Sequence, residues 1–166
     1  MKKSLALISV SIVLLSSSCS SDESAQEEIN EVAQAFLEAH NTYRAAVGIE
    51  GLTWSDELAA SATEWAEELA SNCTFQHSSG SYGENLWKGT SGAFAIEDVV
   101  ESWGSEKQHY NYDNNSCDDG EVCGHYTQVV WEATTEVGCG MVTCDGYDVW
   151  VCQYAPQGNI IGQKPY

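Results

Sequence analysis

Four histidines and seven cysteines are the side chains of this 166-residue chain with the widest range of chemistry. Imidazole rings act as general bases and metal ligands near neutral pH, and thiols act as nucleophiles, ligands or disulfides. The sequence contains neither a Gly-x-Ser-x-Gly nucleophile elbow nor a His-Glu-x-x-His helix. Hydrolysis by an activated serine or by that metalloprotease motif is therefore not indicated, which leaves water activated through a metal.

Two of the four histidines have surroundings that favour a structural role. His40 shares one helix face with apolar residues, which predicts a buried ring held by hydrogen bonds. His109 stands among Gln108, Tyr110 and Asn111, and this setting predicts a surface position. Neither ring is therefore a candidate for catalysis.

Apolar periodicity predicts four helices along the chain. The first is predicted over residues 28–47. The second has an apolar stripe that follows Ser55, a candidate N-cap. A third helix is predicted over residues 93–108, and a short fourth helix over residues 126–131.

A β-hairpin is predicted near the C-terminus. Strands over residues 137–144 and 147–154 flank Asp145-Gly146, a dipeptide favoured by type I′ turns. A two-residue loop places Cys139 opposite Cys152, in a non-hydrogen-bonded pair with Cα atoms roughly 4.5 Å apart. This separation is at the short edge of disulfide geometry, so the register predicts a Cys139–Cys152 bond.

The N-terminus has the pattern of a bacterial export signal over residues 1–18. Two lysines precede an apolar run, 5–15, that is too short to span a bilayer as a stable helix. Cys19 at the cleavage point predicts a lipoprotein in which this residue is acylated. The alternative is ordinary cleavage near Ser18, because Ser16 stands where a lipobox usually has Leu.

The cysteine count supports lipidation. Without Cys19 the exported chain has six cysteines, an even number suited to three disulfides. Cys144 lies five residues after Cys139, so it points to the other face of the hairpin and needs a partner elsewhere. Residues 19–28 are then the lipid-anchor Cys and a polar, acidic, flexible tether, and residues 29–166 form one domain.

The charge of the chain is strongly negative. The formal net charge is −19, and loss of Lys2 and Lys3 leaves four Lys and Arg against 25 Asp and Glu. Such a surface repels nucleic acid and anionic lipid headgroups. It favours solubility, cations and basic partners.

Four sequence blocks occur in a characteristic order. They are His-Asn-Thr-Tyr-Arg at 40–44, Gly-Glu-Asn-Leu at 83–86, Gly-His-Tyr-Thr-Gln-Val-Val-Trp at 124–131 and Cys-Gln-Tyr-Ala-Pro-Gln-Gly-Asn at 152–159. Together they resemble the CAP superfamily of cysteine-rich secretory proteins, antigen 5 and plant pathogenesis-related proteins of group 1. The plant type is the most similar in its motifs.

The resemblance implies an α+β fold, an α-β-α sandwich with a small antiparallel sheet between helices, stabilised by disulfides. The family's pairing would add two bonds to Cys139–Cys152. These are Cys73–Cys144, which ties the second helix to the hairpin, and Cys117–Cys123, which closes a loop just before Gly124. Residues 156–166 resemble a segment that plant members can release, but we expect a tail that packs over the sheet.

The resemblance also implies a cleft. Matched by motif, its residues are His77, Glu84, Glu106 and His125. Two imidazoles and two carboxylates suit a divalent ion such as zinc, with no cofactor required. The alternative is a polar cluster that stabilises the cleft through hydrogen bonds and needs no metal.

The sequence thus predicts a non-enzymatic, extracytoplasmic CAP domain, lipid-anchored to a membrane or cell surface through Cys19, or otherwise secreted. Family members bind sterols and fatty acids, so the resemblance implies a small hydrophobic ligand, a divalent cation or a partner protein. A metal-assisted hydrolase that uses the cleft and a purely adhesive module are the alternatives. Nucleic acid is not an expected partner.

Overall fold

This computed structural model describes the backbone of residues 20–166, and the side chains of Glu27 and of residues 29–166. The predicted signal segment 1–18 and the predicted acylation site Cys19 lie outside the described residues. Within residues 20–166, every helix is too short or too polar to cross a membrane.

Four α-helices form the helical part of the domain. In chain order they are α1 (Ser20–Ala46), α2 (Asp56–Ser71), α3 (Ile96–Gly104) and α4 (Gly124–Val129). The first helix begins at Ser20, so residues 20–28 are helical, whereas their composition predicts a flexible tether. Glu, Gln and Ala are good helix formers, and in this segment helix propensity outweighs the polar composition.

The predicted starts of α2 and α3 have different outcomes. The Ser55 hydroxyl accepts a hydrogen bond from the Leu58 amide at 3.3 Å, which confirms the N-cap of α2. α3 is shorter than predicted, because the Asp98 carboxylate binds the Ala95 amide at 2.8 Å and fixes the start there. After Gly104 the chain tightens into a 3₁₀ helix, Ser105–His109.

One four-stranded sheet lies between the helices. Its strands are β1 (Thr53–Trp54), β2 (Gly83–Thr90), β5 (Glu136–Cys144) and β6 (Tyr147–Ala155), in the spatial order β1-β5-β6-β2. β1 is parallel to β5, and the other pairs are antiparallel. A separate small hairpin joins β3 (Tyr110–Asn111) to β4 (Ser116–Cys117).

The β5–β6 hairpin confirms the predicted register. Cys139 pairs with Cys152 at a Cα separation of 4.1 Å, and the two form a disulfide. The turn residues Asp145 and Gly146 have φ values of 50° and 80°, as a type I′ turn requires. The Cys73–Cys144 and Cys117–Cys123 disulfides implied by the resemblance are also present.

The two faces of the sheet pack against different helices, which gives the expected α-β-α sandwich. Against α2 lie Leu86, Val149 and Val151 of the sheet, in contact with Ala62, Ala66 and Leu69 of the helix. On the opposite face lies the larger core, whose buried side chains include Phe36, Val100, Trp103, Tyr126, Cys139, Cys152 and Tyr154.

The C-terminal segment follows a different path from the predicted one. Pro165 accepts a hydrogen bond from the Glu132 amide at 2.7 Å, and the Tyr166 hydroxyl lies 3.1 Å from the Tyr126 hydroxyl of α4. Asn115, next to β4, donates to the Gln163 carbonyl at 2.8 Å. The expectation that this tail packs over the sheet is therefore wrong, because its bonding partners lie on and around α4.

Candidate functional site

His125 and Glu106 form the first of two His–Glu pairs. Glu106 lies in the 3₁₀ helix, and its Oε1 is 2.6 Å from His125 Nδ1. Its Oε2 accepts from the amides of His125 and Tyr126 at 3.0 and 3.1 Å. These amides belong to the first turn of α4, where helix N–H groups lack partners within the helix. Glu106 therefore holds both the imidazole and the start of its helix.

His77 and Glu84 form the second pair. Glu84 Oε1 lies 2.9 Å from His77 Nδ1 and accepts from the Ser78 amide at the same distance. The other oxygen, Oε2, accepts from Gln153 Nε2 at 3.3 Å. The Glu84 side chain is 5% exposed and the His77 side chain 58% exposed. A buried carboxylate on β2 thus orients a ring that faces solvent.

Both pairs set the same ring tautomer. An ionised carboxylate only accepts hydrogen bonds, so Nδ1 of His77 and of His125 carries the proton in the neutral ring. Nε2 of each ring then keeps its lone pair. Histidines that bind metals usually donate their other ring N–H to a carboxylate in this way. Glu84 and Glu106 therefore have the geometry of groups that orient ligands.

The four residues stand as two pairs. No three of them, in the described part of the chain, bring their ligand atoms within 4.8 Å of one another. Within residues 20–166, the one group of His, Cys, Asp or Glu that does so comprises Cys73, Cys144 and Asp145. Its two sulfurs are joined in a disulfide, so they are not thiolate ligands. Convergence of the four cleft residues on one ion stays a prediction.

A buried hydrogen-bond chain leads from His125 into the core. Asn85 Nδ2 lies 3.2 Å from the His125 carbonyl and 3.2 Å from the Tyr154 hydroxyl. That hydroxyl is 2.8 Å from His40 Nε2, and His40 Nδ1 donates to the Phe36 carbonyl at 2.7 Å. Burial lowers the pKa of His40 to about 4, so its ring is neutral at pH 7. The predicted structural role of His40 is confirmed.

Arg44 is a second buried group in the sequence block 40–44 that contains His40, and its role is not apparent from the sequence. Its side chain is enclosed, with 1% of the residue exposed, and within the described part of the chain the guanidinium donates to backbone carbonyls alone. The acceptors lie at 2.7–3.2 Å and belong to Glu50, Val129, Trp131 and Thr134. Burial lowers the pKa of Arg44 to about 10, which still leaves it charged at pH 7. One cation thus satisfies carbonyls at the end of α4 and after it.

His109 lies at the surface, as its neighbours predict, with its side chain 30% exposed. Its ring is half-buried and lies 3.5 Å from an Asp118 carboxylate oxygen and 3.6 Å from one of Glu121. Because neither carboxylate is adjacent to His109 in the chain, their proximity could not be read from its local polar setting. His109 takes no part in the two His–Glu pairs.

An apolar groove of about 450 Å³ lies between α1 and α2. Ile29 and Val32 line one side, Ala59 and Ala60 the other, and Trp54 of β1 contributes a further wall. The sequence does not reveal this groove, because each helix stripe is equally consistent with complete burial.

The sheet layered between helices, the three disulfides and the two His–Glu pairs define a small disulfide-bonded α-β-α domain. Residues 37–154 match the model of the CAP family, the cysteine-rich secretory protein family. The chain belongs to this family.

Plant proteins are among its curated relatives. The chain is 47% identical to pathogenesis-related protein 1C of Nicotiana tabacum over 156 residues, which cover 93% of this chain and 88% of the relative. It is 46% identical to pathogenesis-related protein 1 of Arabidopsis thaliana over 134 residues, 80% of this chain and 81% of the relative. The predicted similarity to the plant type is confirmed.

Solved structures of the family share the fold. Venom allergen-like protein 4 of Schistosoma mansoni has a TM-score of 0.68 and 27% identity, covering 82% of this chain and 94% of that one. A crystal structure of NaASP2 with Zn²⁺ has a TM-score of 0.68 and 25% identity, covering 82% of this chain and 85% of that one. These similarities confirm the α+β sandwich.

Proposed function

We propose that this CAP domain is a non-enzymatic binding module, and that His77 and His125 bind a divalent cation such as zinc. The observation that carries the proposal is the pairing of each Nδ1 with a carboxylate, at 2.9 Å for His77 and 2.6 Å for His125. This pairing leaves both Nε2 atoms as acceptors. The crystal structure of NaASP2 with Zn²⁺ supports the proposal by similarity.

The carboxylates have a defined part in this proposal. Glu84 and Glu106 accept backbone N–H bonds, which fix the orientation of both carboxylates relative to the histidine rings. We therefore assign metal ligation to the imidazoles and ring orientation to the carboxylates.

Calorimetric titration of the exported chain with zinc is the test. We expect His77→Ala and His125→Ala each to weaken zinc binding by about tenfold or more, and Glu106→Gln to weaken it by a similar factor through loss of orientation. Binding should also weaken in acid, because a protonated imidazole cannot ligate. His109→Ala is the matched control, since that ring also lies near two carboxylates.

Two results would contradict the cation proposal. The first is the absence of zinc binding in the unaltered protein. The second is equal binding in all three histidine variants, which would place the ion elsewhere. Either result would leave the two pairs with the structural role of holding the 3₁₀ helix, α4 and β2 in place.

A small hydrophobic ligand is the second candidate, and the apolar groove between α1 and α2 favours it. Fatty acids and sterols are the ligands that the family resemblance implies. We expect radiolabelled palmitate or cholesterol to bind the protein, and Ala60→Trp, which fills the groove, to prevent binding. Ser71→Trp at the exposed end of α2 is the control, and equal loss in both variants would exclude the groove as the site.

Anchoring and export complete the proposed function. The exported chain would start at an acylated Cys19 and remain on a membrane or cell surface. Cys19→Ala should release the protein in folded form. An unaltered protein that is already soluble and begins at Cys19 with a free thiol would show the lipoprotein hypothesis to be wrong, with ordinary secretion as the alternative.

The enzymatic and adhesive alternatives make different predictions. A metal-assisted hydrolase would turn over substrate and lose this activity in both His77→Ala and His125→Ala. A purely adhesive module would bind neither zinc nor lipid and would carry only protein partners. Mass spectrometry of the natively purified protein measures acylation, metal and lipid together and so separates these cases.

A further inference from the structure

A second groove lies between α2 and the loop that precedes β2. Its volume is about 470 Å³. Glu64, Trp65 and Glu68 of α2 form one wall, Tyr82 belongs to the opposite wall, and Gln153 of β6 lies at the inner side. The groove adjoins the His77–Glu84 pair, because Gln153 donates to Glu84, but it contains neither histidine nor glutamate of that pair.

The groove presents two carboxylates without partners. Glu64 and Glu68 are four residues apart, so they lie on the same face of α2, and both are exposed. Among the side chains that the structure describes, neither carboxylate takes part in a hydrogen bond or ion pair. The wall residues include no Lys, Arg or His. The field inside the groove is therefore negative on a chain whose formal charge is already −19.

Gln153 supplies an independent observation that points to a ligand. The residue is 3% exposed, and its carbonyl oxygen Oε1 is buried without a hydrogen-bond partner in the described part of the chain. Its amide nitrogen donates to Glu84 Oε2, which fixes the orientation of the amide. Gln153 is also a wall residue of the groove, so its unpaired oxygen lies next to the groove although the atom itself is buried.

Two further wall residues are aromatic. Trp65 Nε1 donates to the Gln76 carbonyl at 3.2 Å, which fixes the indole in place. Trp65 and Tyr82 are both half-buried. Aromatic rings attract cations and pack well against the methylene stems of basic side chains. The groove thus combines acceptors, negative charge and aromatic surface.

We propose that this groove binds an alkylammonium or guanidinium group, supplied by a basic peptide side chain or by a small polyamine. The cationic head pairs with Glu64 and Glu68, and one of its N–H groups donates to Gln153 Oε1. The methylene stem packs on Trp65. Such heads carry only donors, which matches the two carboxylates and the unpaired amide oxygen of this site.

A divalent metal fits the groove less well than an organic cation. Glu64 and Glu68 do not belong to any group of three described His, Cys, Asp or Glu residues with ligand atoms within 4.8 Å. An ammonium or guanidinium group bridges wider separations, because its several N–H donors point in different directions. The site is therefore separate in position and in chemistry from the two His–Glu pairs.

Calorimetric titration with spermidine and with acetyl-Gly-Lys-Gly-amide tests the proposal at about 0.15 M salt, where diffuse attraction to the acidic surface is screened. We expect saturable binding of at least one probe. Glu64→Gln/Glu68→Gln should weaken it by about tenfold, since two charge-assisted contacts are lost. Glu57→Gln/Glu67→Gln removes the same charge from exposed positions of α2 outside the groove, and should change affinity less than about twofold.

The two probes distinguish the source of the cation. Tighter binding of the blocked peptide supports a basic peptide side chain, and tighter binding of spermidine supports a free polyamine. Gln153→Met, which removes the buried acceptor, should weaken either probe. Equal weakening by the groove pair and the control pair would show a diffuse charge effect and overturn the proposal. The absence of saturable binding by both probes would also overturn it.

Discussion

The two faces of the sheet pack against their helices through different kinds of contact. Toward α2 the contacts are small and apolar, and Gly138 and Gly140 let the helix backbone approach so closely that a Cβ at either position would overlap it. Toward α1, α3 and α4 the core contains large aromatic rings together with the buried polar side chains of His40, Arg44 and Asn85. One side depends on shape, and the other depends on hydrogen bonds as well.

This difference explains how the cleft residues are held in position. On the polar side, Arg44 of α1 and Asn85 of β2 both bond to atoms of α4 or of the chain that follows it, so they fix α4 relative to α1 and β2. Arg44 binds the carbonyls that end α4, and Asn85 binds the carbonyl of His125 at its start. The helix that carries His125 is therefore held at both ends, whereas His77 lies in a loop and is held through the Glu84 carboxylate.

The largest expected effect is the loss of Arg44. Arg44→Met keeps much of the side-chain volume but leaves four backbone carbonyls without their buried donor. We expect the free energy of unfolding to fall by about 4 kcal/mol, as for the removal of one partner from a buried charged network. Urea denaturation measures it, with Lys107→Met at an exposed position as control. A loss below about 1 kcal/mol would contradict the contrast between the two sides.

The second prediction concerns pH and His40. Burial holds the pKa of the folded state near 4, whereas the ordinary value is 6.5, so between these values the unfolded state binds more protons. Stability should therefore fall as the pH falls from 6.5 to 4, by about 3 kcal/mol from this group, and be fully present above 6.5.

Comparison with His40→Gln isolates that contribution, because all carboxylates titrate in both proteins. The difference in unfolding free energy between the unaltered protein and His40→Gln should shrink as the pH falls toward 4. His109→Gln, which changes a half-buried ring, is the control and should leave the slope nearly unaltered. If the unfolding free energy of His40→Gln depended on pH as steeply as that of the unaltered protein, the acid sensitivity would belong to other groups.

The sequence predicts the parts of this molecule whose geometry is local. The β5–β6 register follows from a two-residue turn and a side-chain period of two, so Cys139 and Cys152 could be paired from counting. β2 could not be recognised as a strand, because Gly83, Glu84 and Gly89 interrupt its apolar pattern. That strand nevertheless positions half of the candidate site.

Side chains that bind backbone leave no signature in the sequence. Arg44 has no acidic partner to be matched with, since its acceptors are carbonyls that every residue possesses. The pairing of Glu106 with His125 spans 19 residues of irregular chain, and only the family resemblance suggested that they meet. The unsatisfied oxygen of Gln153 depends on packing in three dimensions and could not be inferred in advance.

The smallest expected effect tests the side that depends on shape. In Gly138→Ala, the new methyl group would overlap backbone atoms of Leu58 and Ala59, so α2 must move away from the sheet. We expect a loss of about 2 kcal/mol in unfolding free energy, the usual cost of overpacking a tight contact. Gly80→Ala, where the nearest atom is 3.5 Å from the new carbon, is the control.

Since no buried polar group loses a partner, zinc binding at His125 should survive in Gly138→Ala but weaken in Arg44→Met, which frees the end of α4. Parallel loss of zinc affinity in both variants would show that the two sides position the site equally, and the contrast would fail.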